Sequence, residues 1–168
     1  MCENSYMFDD IKTLINYLFF LKRDITPLRL QKTLYFMYAY YGATYGQMND
    51  EQEGISVYEG GYSYPPELFP AKFEAWRFGP VINDVYINFK NKIYKAEESE
   101  DWVPADNNLA DVKEFLADLF NQLMNVGDFG LVERSHMDDC WKFAYEEGKQ
   151  HIPMNSKEIV SEYVKKYV

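Results

Sequence analysis

The sequence predicts a mainly helical domain, and three observations predict it. Apolar residues recur at three- and four-residue spacing through about six segments, in a chain of 168 residues that is 47% hydrophobic. One of those segments, Thr26–Tyr41, is apolar on every face, the mark of a helix that other elements bury. Between Gly46 and Pro70 the helical period stops and Gly54, Gly60, Gly61, Pro65, Pro66 and Pro70 punctuate the chain. The expected fold is one domain over residues 1–168, with about six helices around a buried central helix and a small β element near residues 55–78.

The first helix is expected from Tyr6 to about Arg23, with Ile11, Leu14, Ile15, Leu18 and Leu21 on one stripe and Asp9 and Asp10 in the first turn. A short link, Arg23-Asp24-Ile25, leads to the central helix, so these two helices form a hairpin. Thr26 is a capping residue and Pro27 suits the first helical position. Leu30, Leu34, Met37 and Tyr41 then share a face, while Gly42 and Ala43 allow a neighbour to cross closely. Ile55–Tyr58 and Lys72–Phe78 read as short strands, the second ending at Gly79-Pro80. A short helix follows over Val81–Phe89. Asn107 or Asn108 caps the next helix, whose stripe runs from Leu109 to Val126 and stops at Gly127. Ser135 and Asp138 have the spacing of a capping box for a helix that turns Met137, Cys140, Trp141 and Ala144 inward. Asn155 with Glu158 opens the last helix, with Ile159, Val160, Tyr163, Val164 and Tyr167 on its apolar face.

Charge narrows the function classes. Twenty-seven acidic residues against seventeen basic ones give a net charge of -10. Phosphate backbones and anionic lipids repel such a chain, so direct nucleic-acid and membrane partners are not expected, and a basic protein partner is. The N-terminus shows no basic region ahead of an apolar run, and no uncharged run spans a bilayer, so a cytoplasmic location is expected. Cys2 and Cys140 have no ligand spacing around them, so neither zinc nor a disulfide framework is expected. No cofactor motif is present: Gly60-Gly61 and Gly79 lack the surroundings of a phosphate loop.

The strongest catalytic candidate is the cluster Glu133, Arg134, His136, Asp138, Asp139 and Cys140, which offers a hydrolase a base, acids and a thiol. Helix capping, dipole compensation and a small core cysteine explain the same residues, and no catalytic residue is assigned. His151, before a proline-terminated turn, reads as a surface residue. Glu97-Glu98-Ser99-Glu100-Asp101 reads as a solvated acidic loop. The tyrosines Tyr58, Tyr62 and Tyr64, in a long loop, suit a protein interface, because tyrosine gives contact area at little entropic cost. Arg77, Gly79 and Pro80 join them as a stiff turn beside an arginine, whereas Leu30, Leu34, Phe36 and Trp76 are assigned to the core. Gln31 and Lys32, polar on an apolar helix, suit a buried contact to the Gly79-Pro80 turn.

Three stretches together resemble a known family. They are Leu28–Phe36; Phe73–Val81 with Val85, Tyr86 and Phe89; and Leu131–His136 with Trp141. In this order and spacing they resemble the Panacea domain, also described as SocA-like or GepA-like phage-associated proteins. Ser135-His136 stands where the family commonly has Thr-His. The resemblance implies a compact helical domain without catalysis. It implies an antitoxin-type protein of a toxin–antitoxin system, which neutralises a toxin by direct binding, in one member type as an adaptor for a protease. The alternative function is a phage-encoded inhibitor that places an acidic surface, including Glu97–Asp101, in the basic channel of a host defence nuclease.

Overall fold

The computed structural model describes residues 5–48 and 64–168. Ahead of the first helix, Met7 and Phe8 donate their amides to the carbonyls of Glu67 and Leu68, so the stretch expected to start a helix at Tyr6 runs extended instead. Helix α1 (Ile11–Leu21) begins after Asp10, whose carboxylate accepts from the Lys12 amide at 2.9 Å. Leu14, Ile15 and Leu18 are fully buried, as the stripe requires.

Helix α2 (Pro27–Thr44) starts as its sequence dictates. Thr26 Oγ1 accepts from the Arg29 amide, and Pro27 occupies the first turn. Leu30, Leu34, Met37 and Tyr41 are all inaccessible. The remaining elements gather around this helix. Strands β1 (Phe73–Trp76) and β2 (Gly79–Ile82) form an antiparallel hairpin in which Phe73 faces Ile82 and Trp76 faces Gly79. Gly79-Pro80 therefore opens the second strand rather than ending the first, and the turn is Arg77-Phe78. Strand β3 (Ile152–Pro153) pairs with the other edge of β1, giving the order β2-β1-β3. The expected strand at Ile55–Tyr58 lies outside the described residues.

Helix α3 (Asn83–Lys90) follows directly, later than expected because β2 takes Val81 and Ile82. Helix α4 (Ala110–Met124) buries Val112, Leu116 and Phe120, and the turn before it is capped by Asp106, not by the asparagines. Helix α5 (Asp128–His136) is an additional element, with Gly127 at its N-cap. Ser135 is thereby inside a helix, where its hydroxyl donates to the Val132 carbonyl and caps nothing. The short helix α6 (Asp139–Lys142) receives its cap from elsewhere: Glu162 accepts from the amides of Asp139 and Cys140 at 2.7 and 2.8 Å. Glu162 belongs to helix α7 (Ser156–Lys166), whose own cap, Asn155, accepts from the amides of Lys157 and Glu158. Helix α7 crosses α2 where Val160 packs on Gly42; a Cβ there would stand 2.6 Å from a Val160 methyl. Among the described residues the chain is thus mainly helical with one small antiparallel sheet, and no helix is long and apolar enough to cross a membrane.

Candidate functional site

The site is built on two polar residues of the central helix. Gln31 and Lys32 are buried, with 5% and 1% of their surface exposed. Gln31 clamps Ile82: its Nε2 donates to the Ile82 carbonyl at 3.1 Å, and the Ile82 amide donates to its Oε1 at 2.9 Å. Lys32 Nζ donates to the Pro80 carbonyl at 2.8 Å. Pro80 and Ile82 are two residues apart, so both present their backbone groups to the same side of β2, away from β1. Two side chains thus supply the hydrogen bonds that a neighbouring strand would. Proline fits this edge because it has no N–H to satisfy. Burial pushes the Lys32 amine down to about 7, and its partner is a carbonyl rather than a carboxylate.

Gly79 is required here. Its φ is +110°, and a Cβ on it would stand 2.5 Å from Ser135 Oγ and 2.8 Å from Lys32 Cε.

The turn beyond it is held by α5 and α6. His136 Nε2 lies 3.0 Å from the Arg77 carbonyl, and Trp141 Nε1 donates to the Trp76 carbonyl at 2.8 Å. A carbonyl only accepts, so His136 carries its proton on Nε2. Desolvation holds its pKa below the usual value. His136, Trp141 and Tyr145 stack in parallel, with centroids 4.0 and 4.9 Å apart. Residues of α2, α5 and α6 thus fix the hairpin by its backbone.

Fixing the backbone frees the side chains at the tip. Phe73 and Ala75 point inward, so Glu74 and Trp76 point outward. Glu74 Oε1 accepts from Trp76 Nε1 at 2.8 Å, and His151 Nδ1 lies 3.0 Å from the same oxygen. Tyr86 meets the Trp76 ring at 5.0 Å. Arg77 lies over the Phe78 ring at 5.5 Å. Phe78, Tyr86 and Met137 are 48%, 41% and 59% exposed. Tryptophan, arginine, tyrosine and methionine on a rigid support are the composition of protein-binding hot spots.

The sequence-predicted site residues fall in different places. Arg77 is exposed at the tip. Gly79 and Pro80, expected on the surface, are buried, because they receive Lys32 and pack on Ser135. Trp76, expected in the core, is half-buried on the outer face, because strand alternation sends its neighbours Phe73 and Ala75 inward. Tyr64 is half-buried against Tyr45, 4.8 Å between centroids, so it lids the core beside α2 at a position apart from the hairpin. Tyr58 and Tyr62 lie outside the described residues. Phe78 and Tyr145 join the candidate site without any signal in the periodicity, and Trp141, expected to face inward, joins it through its indole N–H.

The titratable cluster separates into structural duties. Asp138 is fully buried and accepts from Tyr35 Oη at 2.5 Å, Tyr163 Oη at 2.6 Å, Tyr167 Oη at 3.2 Å and Arg134 at 2.8 Å. Arg134 stacks its guanidinium 4.3 Å over the Tyr167 ring. Burial, then the neighbouring tyrosine and Asp138 charges, hold the Tyr35 hydroxyl well above its ordinary pKa. Cys140 Sγ lies 3.3 Å from Tyr35 Oη, and burial pushes the thiol up to about 12. A nucleophilic cysteine needs the opposite shift. His136 serves the Arg77 carbonyl, so the structure gives histidine and cysteine different partners. Among the described residues no group of three His, Cys, Asp or Glu side chains is placed to hold a metal. In comparisons with known proteins the chain matches no family model, no curated protein and no solved structure.

Proposed function

We propose that the chain is an antitoxin-like binding module, which neutralises a protein partner by covering it with the hairpin tip around Trp76, Arg77 and Phe78. One observation carries this reading. The three stretches that resemble the Panacea domain, far apart in sequence, meet here: Gln31 and Lys32 of the first bond β2 of the second, while Ser135, His136 and Trp141 of the third hold its turn. The buried residues of all three stretches thus support one turn whose own side chains, Arg77 and Phe78, are exposed. The net charge of -10 supports a basic partner by steering its approach. The raised Cys140 thiol and the structural engagement of His136 weigh against the hydrolase alternative.

Coexpression with the product of the neighbouring gene tests the proposal. Expected are growth arrest by that product alone, rescue in the presence of this chain, and co-elution of the two as a complex. A harmless product, or one that stays lethal beside this chain, contradicts it.

A further inference from the structure

Beside the hairpin tip lies a cleft of about 300 Å³ lined by Trp76, Arg77, Tyr145, Lys149, Gln150 and His151. That volume is at the lower end of small-molecule sites. Three of these six residues can carry positive charge and none is acidic, in a chain of net charge -10. The nearby carboxylates are engaged: Glu74 by Trp76 and His151, Glu146 by Lys149, and Glu147 by the Tyr145 hydroxyl. Arg77 is the cation of the cleft that has no carboxylate partner among the described residues.

The walls are flat. Tyr145 ends the His136–Trp141–Tyr145 stack and lines the cleft, so its ring is offered to a planar group. A planar group placed there extends the stack by one layer. Trp76 supplies a second ring. The loop that closes the cleft contains Gly148 at φ +86° and His151 at φ +55°. A non-glycine residue held in the left-handed region is strained, and here the strain seats His151 between Trp76 and Glu74.

We propose that this cleft binds a mononucleotide, with the base on Tyr145 beside Trp76 and the phosphate on Arg77. Aromatic platforms hold bases through their π faces, and the planar guanidinium matches a phosphate. The same chemistry is offered by a free nucleotide and by the 5′-phosphorylated end of a strand. The overall negative charge selects the free nucleotide, because it repels a polyanion.

The test uses the purified full chain without a partner, so its outcome is separate from that of the antitoxin reading. The probes are AMP, GMP, CMP and UMP, the corresponding nucleosides, and a short 5′-phosphorylated oligonucleotide, read by the indole N–H signals in nuclear magnetic resonance. At least one mononucleotide should shift Trp76 and Trp141 saturably while Trp102, which packs on Phe8 and Tyr17 and does not line the cleft, stays in place, with a Kd on the order of 0.1–1 mM, as one stacked base and one phosphate contact supply. Tyr145→Ala and Arg77→Ala should each weaken binding about tenfold or more, Arg77→Ala at unchanged melting temperature, and Tyr145→Phe should retain it. The proposal is overturned by any of three results: no shift at 10 mM, affinities unchanged in both alanine variants, or a nucleoside or the oligonucleotide binding as tightly as the mononucleotide.

Discussion

Lys32 shows how a single residue ties the core to the site. Its amine is buried, donates to the Pro80 carbonyl, and has its pKa pushed down to about 7. In the unfolded chain the same amine titrates near 10.5. Between those two values the unfolded state binds a proton that the folded state does not, so stability rises with pH there. Below about 7 both states are charged and the contribution is flat. The Lys32→Met variant removes the difference. From pH 7.5 to 9.5 the unfolding free energy of the wild type should therefore rise relative to that of the variant by about 1.4 kcal/mol per pH unit. Denaturant unfolding of both proteins at several pH values checks this, and parallel pH dependences would show that the Lys32 amine keeps its ordinary pKa in the folded state. The contact itself is legible in the sequence, since a lysine and a glutamine amid Leu30, Leu34 and Tyr35 need buried partners. The titration is not legible, because it depends on which atoms exclude water around Nζ.

The hairpin is the element that carries the proposed function, and Gly79 decides whether it can dock. Gly79→Ala must hold a positive φ and push a methyl into Ser135 and Lys32 at once. We expect a loss of about 2–4 kcal/mol, a Tm lower by roughly 5–10 °C in calorimetry. An unchanged Tm would mean that the turn is not seated on α2 and α5. The helices α1, α2, α4 and α7 are legible because each carries an apolar stripe, and in α2 and α7 the cap agrees as well, whereas α1 starts later than Tyr6 and the turn before α4 takes its cap from Asp106. Helix α5 is not legible, because it carries Gly130 inside, no capping side chain, and a serine that bonds back to its own helix. Helix α6 accordingly starts only at Asp139, and its cap comes from Glu162, more than twenty residues downstream. Trp76 was misplaced for a related reason. Size alone argues for burial, but the period of two set by Phe73 and Ala75 governs a strand residue.

At the scale of the whole molecule, remote segments meet twice. Around Asp138, hydroxyls from α2 and α7 and a guanidinium from α5 converge on one carboxylate. Around the hairpin, α2 closes one strand edge while α5 and α6 hold the turn. Both assemblies contain pairings between residues far apart in sequence, 103 for Tyr35–Asp138 and 48 to 65 around the hairpin, which local periodicity does not reveal. The first assembly buries the Asp138 carboxylate, and the second presents Arg77 and Phe78 to solvent on a backbone bonded by α2, α5 and α6. Such a surface loses binding without losing fold when its side chains are truncated. The most direct measurement is therefore the affinity of the neighbouring gene's product for the Arg77→Ala and Phe78→Ala variants, read together with their melting temperatures. Affinity should fall by about 30-fold or more in each, equivalent to about 2 kcal/mol, while both variants melt close to the wild type. Wild-type affinity in both variants would place the partner on another surface and contradict the assignment of the hairpin tip.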